Sequence, residues 1–328
     1  MQMKKIIGIG NALVDNIVSI KDDAIIKQYN LPRGGMEMVN AETAKSLQQT
    51  LVDFSQTTAS GGSTANTIHG LARLGNHAAY IGKIGKDTLG QFFRNDLKQS
   101  RINAHLIETD TPTGIAITLM TPDSERTFAT YLGAACELKP EDIQPELFHD
   151  YDMIHVEGYL CFNTELTFKI LKVAQQLGLK ISMDLASYNL VELQLDFFKT
   201  VLNDYVDIIF ANEDEARAFT GQTDPKKALD ILAEYCEIAV VKIGEKGSLA
   251  KTDGKITEIP AFAATVVDTN GAGDIYAAGF LYGLSIGKSI LESGKIGALL
   301  ASKLVQVVGA KLSDNEWKLL LENEFSRL

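Results

Sequence analysis

The sequence predicts a doubly wound α/β fold, in which helices cover both faces of a mostly parallel β-sheet. Short apolar runs recur along the chain, and segments with helical periodicity separate them. The clearest helical pattern spans 163–177, where apolar residues recur at spacings of three and four. Strands that alternate with helices are typical of a parallel sheet, and ligands bind beyond the carboxyl ends of its strands. We therefore expect the functional site at that edge.

The predicted strands begin near the N-terminus. Residues 4–10 are apolar without strict alternation, as in a buried strand, and they end in a glycine turn. Four later apolar runs predict further strands, at 153–156, 181–184, 207–211 and 238–243.

Two segments interrupt this alternation and predict a small β-sheet that forms a lid. They span about 12–40 and about 105–132, and both contain turn residues between short extended pieces. Because the segments are distant in sequence and must meet in space, we expect a lid on one domain spanning 1–328. An exposed strand edge on this lid can pair with another copy, so we expect a homodimer.

Composition excludes several classes of function. The 328 residues include 31 Lys and Arg against 42 Asp and Glu, a net charge of −11, which argues against nonspecific nucleic-acid binding. No apolar stretch reaches the length of a membrane span, and the N-terminal residues do not resemble a signal peptide, so we expect a cytoplasmic protein. Cys136, Cys161 and Cys236 are far apart, which predicts free, at least partly buried thiols.

The segment 267–274 (VDTNGAGD) carries the strongest chemical signal. Its small residues Gly271, Ala272 and Gly273 precede a helical pattern, whose first N–H groups lack intrahelical partners and suit an anion. Asp274 falls in the first helical turn, where it is placed to take a proton from an attacking hydroxyl. The alternative is that the glycines only form a turn and Asp274 only complements the helix dipole.

A second segment, 60–68 (SGGSTANTI), predicts another helix start with exposed backbone N–H groups. Gly61 and Gly62 precede Ser63 and Thr64, either of which can cap the helix. Asn66, one turn later, offers a donor and an acceptor to a polyol. The alternative is an ordinary capped helix.

These two segments, together with four shorter ones, closely resemble the ribokinase-like (PfkB) family of sugar and nucleoside kinases. The shorter segments are 8–15 (GIGNALVD), 82–90 (GKIGKDTLG), 212–215 (NEDE) and 241–247 (VKIGEKG). Their order along nearly the whole chain makes the resemblance specific, and the adenosine kinase branch is the nearest.

The resemblance implies transfer of the γ-phosphoryl group of ATP to a primary hydroxyl, with Asp274 as the base and the 271–274 backbone as an anion hole. It implies that Glu215 organises Mg²⁺ through water. It also implies a nucleotide site formed by Asn212, Lys242, Gly244, Gly247, Asp268 and Thr269. Alternatively, Glu215 only complements a helix dipole and Lys242 is only a charge at a strand end. A requirement for K⁺ near Asp268 is left open.

For the acceptor, the resemblance implies a pocket in which Asp15 holds vicinal hydroxyls, completed by Asn11, Gly61, Gly62 and Asn66. The alternative for Asp15 is a turn residue. Arg126, in the predicted lid, either closes over the phosphates or is a solvated hairpin arginine.

Adenosine or a ribose-type acceptor is favoured, because few basic residues near these motifs could bind a second phosphate. The apolar side chains Met36, Met38, Phe128 and Tyr131 form either a wall for the acceptor or the core of the lid. Fructose, a sugar phosphate and a non-catalytic sugar- or nucleoside-binding protein remain as alternatives. An NAD-dependent oxidoreductase is disfavoured, because Leu13 stands where the dinucleotide fingerprint needs its third glycine.

Overall fold

A computed structural model describes residues 3–123 and 125–325, and within them the chain forms two β-sheets surrounded by helices. The strands, in chain order, are β1 (Ile6–Ile9), β2 (Leu13–Ser19), β3 (Met36–Met38), β4 (Gln56–Gly61), β5 (Ala78–Gly85), β6 (Asn103–Thr109), β7 (Thr113–Met120), β8 (Arg126–Gly133), β9 (Met153–Glu157), β10 (Lys180–Asp184), β11 (Ile208–Asn212), β12 (Ile238–Lys242), β13 (Ser248–Thr252) and β14 (Lys255–Ile259). The α-helices are α1 (Ala24–Gln28), α2 (Ala41–Thr50), α3 (Ser63–Arg73), α4 (Thr88–Gln99), α5 (Thr164–Gln176), α6 (Tyr188–Leu193), α7 (Leu195–Tyr205), α8 (Glu213–Thr220), α9 (Pro225–Leu232), α10 (Ala272–Ser285), α11 (Ile290–Leu304) and α12 (Asp314–Asn323).

The large sheet has the strand order β14-β13-β12-β11-β10-β9-β1-β5-β6. Neighbouring strands from β12 to β6 are parallel, and only β13 and β14, at one edge, pair antiparallel. The predicted doubly wound, mostly parallel sheet is confirmed. The predicted strands correspond to β1, β9, β10, β11 and β12, and the predicted helix at 163–177 corresponds to α5.

Alternating side chains of β1 explain why helices cover both faces of the large sheet. Ile7 and Ile9 face a buried cluster that includes apolar residues of α5, α7, α8 and α9. Ile6 faces the opposite cluster, which includes residues of α3, α4, α10, α11 and α12. A strand that is buried on both faces needs apolar residues at successive positions, as this one has. No helix within the described residues is long and apolar enough to cross a membrane.

The small sheet has the order β3-β8-β7-β2-β4. Its back face, including Val18, Ile117 and Leu119, packs in one buried cluster with Ala44 and Leu47 of α2. Because side chains alternate along a strand, Asp15 lies on the other face, in a row with Ala59, Ala116, Thr130 and Met38 across the paired strands.

The predicted boundaries of the lid need two corrections. Residues 105–109 belong to β6, which pairs in parallel with β5 and so extends the large sheet. The strand β4, which the prediction left out, pairs antiparallel with β2 in the small sheet. The residues of a strand can predict that it is extended, but they do not indicate which sheet it joins.

The three cysteines are free thiols, as predicted. Cys161 is buried and Cys236 is partly buried, but Cys136 is exposed. The expectation of burial is therefore wrong for Cys136, which lies in a short 3₁₀ turn after the small sheet rather than in either face of the core.

The helices α10 and α11 approach each other so closely that glycine is required at their contact. A Cβ atom at position 279 would lie 2.7 Å from the Cα and N atoms of Gly297. Backbone atoms cannot move aside as a side chain can, so any larger residue at Gly279 separates the two helices.

We expect Gly279→Ala to lower the free energy of unfolding by about 1–3 kcal/mol, because overpacking a buried contact outweighs the better helix propensity of alanine. The matched control is Gly294→Ala on α11, whose added Cβ would meet side-chain atoms of Ile259 rather than backbone. Urea unfolding followed by circular dichroism measures both variants. Equal midpoints for the two variants would contradict this account of the contact.

Candidate active site

The predicted site residues converge at the carboxyl edge of the large sheet, where the N-termini of α3 and α10 also lie. The strands β9, β10, β11 and β12 end there with Glu157, Asp184, Asn212 and Lys242. The front face of the small sheet adjoins this edge, since a Cβ atom on Gly309 would lie 3.3 Å from Cδ1 of Ile17.

Asp274 is held between the two helices by donors from α3. Its Oδ1 accepts a hydrogen bond from Ser63 Oγ at 2.7 Å, and its Oδ2 accepts one from Asn66 Nδ2 at 3.0 Å. Thr67 Oγ1 donates to the Asp274 backbone carbonyl at 3.1 Å. Burial raises the pKa of Asp274 to about 6, although the bonds from Asn66 and Ser63 lower it. The carboxylate is thus oriented, and its pKa lies near the working range of a general base.

The glycine turn before α10 adopts the conformation that its sequence favours. Gly271 has φ of 72°, a left-handed conformation that glycine adopts without strain. The amide of Ala272 donates to the Thr269 carbonyl at 3.2 Å. Among the described contacts the amides of Gly271, Gly273 and Asp274 have no acceptor, so these three are available to an anion, and the prediction for Ala272 needs correction.

Neither Ser63 nor Thr64 caps α3 through its side chain, which corrects the predicted helix start. Ser63 bonds Asp274 instead, and the amide of Thr64 donates to Glu157 Oε2 at 3.2 Å. Glu157 Oε1 accepts from Asn11 Nδ2 at 2.6 Å. Burial raises the pKa of Glu157 to about 7, while its bonds to Asn11 and Thr64 lower it.

Glu157 thus fixes the amide plane of Asn11 and holds the start of α3 in place. The sequence interpretation did not include it. A single acidic residue at the end of an apolar strand was the available signal, and the strand itself was predicted at 153–156.

Asp15 lies over Gly61, because a Cβ atom at that glycine would clash with the Asp15 carboxylate. Burial raises the pKa of Asp15 to about 7, Lys311 lowers it and Asp274 raises it. Gly62, next to Gly61, has φ of 97° and is the N-cap residue of α3. The predicted residues Asp15, Gly61 and Gly62 therefore lie together, and within the described residues no donor is bonded to the Asp15 carboxylate.

Lys311 borders this pocket at the edge of the small sheet, and the sequence interpretation did not include it. Its Nζ donates to Asp96 Oδ2 at 2.6 Å and to Ser60 Oγ at 2.5 Å. Ser60 also bonds the Asp96 carboxylate. The ammonium group is therefore paired with a carboxylate of α4.

Lys242 approaches the glycine turn from the end of β12. Its Nζ donates to Asp184 Oδ2 at 2.9 Å. A Cβ atom on Gly273 would lie 2.9 Å from the same Nζ. The structure thus brings Lys242 next to the predicted anion hole and pairs it with Asp184, a residue that the sequence interpretation missed.

Asn212 and Glu215 form a reciprocal capping box at the start of α8. Glu215 Oε2 accepts from the Asn212 amide at 2.8 Å and its Oε1 from Asn212 Nδ2 at 2.7 Å, while Glu215 N donates to Asn212 Oδ1 at 2.9 Å. Burial, with a further contribution from Asp184, raises the pKa of Glu215 to about 7, and Lys242 lowers it. The contacts of Glu215 are thus also those of a residue that only stabilises the start of a helix, which is the alternative interpretation given above.

No group of three His, Cys, Asp or Glu side chains within the described residues could hold a metal ion by itself. The capping box leaves lone pairs on both oxygens of Glu215, so the residue could still accept hydrogen bonds from water bound to Mg²⁺.

Gly244 and Gly247 lie in the turn between β12 and β13. Gly247 has φ of 95°, and a Cβ atom there would lie 2.7 Å from the Ala261 amide nitrogen, so a side chain has no room. Next to this turn is a cleft of about 610 Å³. It is lined by residues of the turn and of the neighbouring strands, including Ile243, Lys246, Ser248, Leu249 and Pro260.

Arg126, at the start of β8, forms a buried ion pair with Asp268 Oδ1, so it is not a solvated hairpin arginine. Asp268 Oδ1 also accepts from the Asn270 amide at 2.9 Å, and its Oδ2 accepts from the Gly309 amide at 2.6 Å. Three donors thus bond the Asp268 carboxylate, two at Oδ1 and one at Oδ2. The pair connects the small sheet to the loop that begins the anion hole.

The apolar side chains of the small sheet divide between its two faces. Met36 and Phe128 share a row with Ile17 and Thr118 on the front face, and Met38 lies in the row of Asp15. Tyr131 packs against the buried cluster behind the sheet. The wall interpretation thus fits Met36, Met38 and Phe128, and the core interpretation fits Tyr131.

Comparisons with known proteins identify the family to which the chain belongs. The chain matches the pfkB family carbohydrate kinase pattern over residues 36–318. Its structure is similar to that of a probable sugar kinase from Rhizobium etli CFN 42, with a TM-score of 0.88 and 32% identity over 98% of this chain and 99% of that chain. It is also similar to an adenosine kinase from Sinorhizobium meliloti, with a TM-score of 0.87 and 32% identity over the same shares of the two chains.

A relative with a different acceptor is nearly as similar in sequence. The 5-dehydro-2-deoxygluconokinase of Geobacillus thermodenitrificans is 30% identical over 263 residues, which are 75% of this chain and 78% of that protein. The family match and both structural similarities nevertheless cover most or nearly all of the chain. This protein therefore belongs to the pfkB family of carbohydrate kinases and is a phosphotransferase that acts on a hydroxyl group of a sugar or nucleoside.

Proposed function

We propose that this kinase transfers the γ-phosphoryl group of ATP to the primary hydroxyl of a neutral, ribose-containing acceptor, with adenosine as the first candidate. The observation that carries the proposal is the pairing of the cations around the pocket. Lys311 and Arg126 are bonded to Asp96 and Asp268, and Lys242, bonded to Asp184, lies beside the glycine turn that would receive the phosphoryl group of ATP.

A carboxylate or phosphate on the acceptor would meet Asp15 and Asp274 without a free positive charge to offset the repulsion. A neutral polyol instead gains hydrogen bonds, since Asp15 accepts from vicinal hydroxyls and the amides of Asn11 and Asn66 orient the sugar. The adenosine kinase from Sinorhizobium meliloti supports the same acceptor class.

In the proposed reaction, the oxygen of the primary hydroxyl forms a bond to the γ-phosphorus while the bond from that phosphorus to the β,γ-bridging oxygen breaks. The electron pair of the breaking bond stays on the bridging oxygen, which becomes part of ADP. Asp274 accepts the hydroxyl proton, and the free amides of Gly271, Gly273 and Asp274 donate to the transferring phosphoryl oxygens.

Magnesium, when bound, offsets phosphate charge in this family's chemistry, and we propose that Glu215 and Asn212 hold it through water. The turn with Gly244 and Gly247 then borders the nucleotide, whose base and ribose fit the adjacent cleft. Asp268 and Thr269 support the loop on which the anion hole is built, since Thr269 accepts from the Ala272 amide.

We propose that the small sheet acts as the lid. It carries Asp15 to the acceptor, and its pair between Arg126 and Asp268 places an arginine beside the anion-hole loop. Met36 and Met38, whose side chains are half exposed at the edge strand β3, offer an apolar surface to a nucleobase.

A sugar acid is the second candidate acceptor, because the 5-dehydro-2-deoxygluconokinase is 30% identical to this chain. A coupled optical assay that measures ADP release in the presence of ATP and Mg²⁺ distinguishes the two candidate acceptors. We expect adenosine or ribose to give a kcat/KM at least about tenfold above those of 5-dehydro-2-deoxygluconate and fructose phosphates, because the anions meet unpaired carboxylates. The proposal fails if an anionic acceptor is the best substrate.

Asp274→Asn should reduce kcat by about 10²–10⁴-fold, because the amide cannot accept the hydroxyl proton. ATP binding, measured by titration calorimetry, should stay close to that of the wild type. The matched control is Asp110→Asn, an exposed carboxylate that pairs with Lys86. Turnover within tenfold of the wild type would rule out Asp274 as the base.

The pH dependence of the wild type should report the same group. Because the pKa of Asp274 is raised to about 6, the base form is lost as the pH falls through that value. We expect log(kcat/KM) to fall below about pH 7 as Asp15 is protonated, and to steepen towards a slope of two below about pH 6 as Asp274 is protonated as well. An aspartate of ordinary pKa would retain activity down to about pH 4, and a flat profile to that value would contradict the assignment.

Monovalent cations should have little effect on turnover, because the Asp268 carboxylate already accepts from Arg126 and two amides. Initial rates are compared in K⁺, Na⁺ and tetramethylammonium chloride at one ionic strength. We expect equal rates, and a strong dependence on K⁺ would show that Asp268 exchanges Arg126 for a cation.

A further inference from the structure

Lys242 lies where the chemistry needs a positive charge. Its Nζ is 2.9 Å from Asp184 Oδ2, and a Cβ atom on Gly273 would also lie 2.9 Å from it. The side chain of Lys242 is 16% exposed and that of Asp184 is 10% exposed, so both are largely shielded from water. The ammonium group therefore faces the turn whose amides form the proposed anion hole.

The hydrogen-bonding capacity of this lysine is not used up. An ammonium group has three N–H donors, and within the described part of the chain Asp184 is its one hydrogen-bond partner. Two donors thus remain next to Gly273, whose own amide also has no acceptor among the described contacts. Phosphoryl oxygens are the acceptors that such a set of donors suits.

The surrounding charges keep the lysine ionised. Burial lowers the pKa of Lys242, but the carboxylates of Asp184, Glu215 and Asp274 raise it above its ordinary value. The same positive charge lowers the pKa of Asp274, which favours its base form. One ammonium group thus offsets the negative charge of several carboxylates in a place where little water screens them.

We propose that Lys242 is a catalytic residue that donates hydrogen bonds to the γ-phosphoryl oxygens during transfer, and that Asp184 is a positioning residue that directs Lys242 to the hole. This inference rests on the proposed phosphoryl transfer at Asp274. The proposal gives Lys242 a role beyond nucleotide binding. Its positive charge offsets the charge of the phosphoryl group while the bond from that group to ADP breaks and the bond to the acceptor oxygen forms.

The competing interpretation is structural. In that case Lys242 only neutralises the buried carboxylate of Asp184, and removal of both charges together should restore a working site. A lysine that binds the phosphoryl group should not be restored in this way, because the neutral pair has no positive charge for the hole.

Three variants separate these interpretations: Lys242→Met, Lys242→Arg and the double variant Asp184→Asn/Lys242→Met. We expect Lys242→Met to lower kcat by about 10²–10³-fold, as loss of one such donor does. The double variant should regain thermal stability relative to Lys242→Met but stay within threefold of its low kcat. Lys242→Arg should recover part of the rate, since it keeps the charge. Recovery of the double variant to near the wild-type kcat would overturn the proposal.

The control is Lys83→Met. Lys83 is also a largely shielded lysine, with a side chain that is 10% exposed, and it pairs with Asp142 at 2.8 Å away from the site. Its loss removes a comparable ion pair, so we expect lower thermal stability and an unchanged kcat. A kcat that falls as much as in Lys242→Met would mean that the loss is only a stability effect and would overturn the proposal.

A binding measurement makes the test independent of the acceptor. ATP differs from ADP by the γ-phosphoryl group, so Lys242→Met should lower the preference for ATP over ADP by at least about tenfold in nucleotide titrations with Mg²⁺. An unchanged ATP-to-ADP preference would overturn the role of Lys242. If the preference falls while adenosine and ribose remain poor substrates, the lysine assignment holds and the proposed acceptor class is wrong.

Discussion

The rest of the site depends on the hydrogen bonds that α3 donates to Asp274. Ser63, Asn66 and Thr67 all donate to this one residue, across more than two hundred positions of sequence. The helices come close enough for these bonds because residue 70 is glycine, where a Cβ atom would lie 2.7 Å from the Cβ of Ala278. Helix packing therefore fixes the base, and the base in turn fixes where a hydroxyl must lie to react.

The chemistry also requires several carboxylates in one shielded place, which opposes folding. Burial raises the pKa values of Asp15, Glu157, Glu215 and Asp274 above those of ordinary carboxyl groups. Hydrogen-bond donors offset this repulsion. The Thr64 amide donates to Glu157 and the Asn212 amide donates to Glu215. Lys242 and Lys311 pair with the further carboxylates of Asp184 and Asp96. The carboxylates that the reaction requires therefore lower the stability of the fold. The paired cations reduce this loss without leaving free positive charge for an anionic acceptor.

The sequence predicts five of the nine strands of the large sheet and the positions of the two helix starts, because apolar strands and glycine turns leave local signals. It predicts much less about contacts between distant segments. Glu157, Asp184 and Lys311 each stand alone in sequence and acquire a partner only through the sheet or the loop after α11. The same reason explains why Ser63 was expected to cap α3: a serine at a helix start is a local signal, and the competing carboxylate comes from Asp274. The lid boundaries are wrong at β4 and β6 because the residues of a strand do not specify which sheet the strand joins.

The large sheet carries the groups for phosphoryl transfer and the small sheet carries those for the acceptor, which explains why the motifs identify the reaction better than the acceptor. The anion hole, the base and Lys242 all lie on the large sheet or on the helices packed against it, where burial on both faces restricts the sequence. The front face of the small sheet meets solvent, and Met36 and Met38 at its edge are 50% and 49% exposed. Residues there are free to change with the acceptor, since no core depends on them. Acceptor choice is therefore expected to follow the row that contains Asp15 and Met38, where one carboxylate for hydroxyls lies beside one apolar side chain for a base.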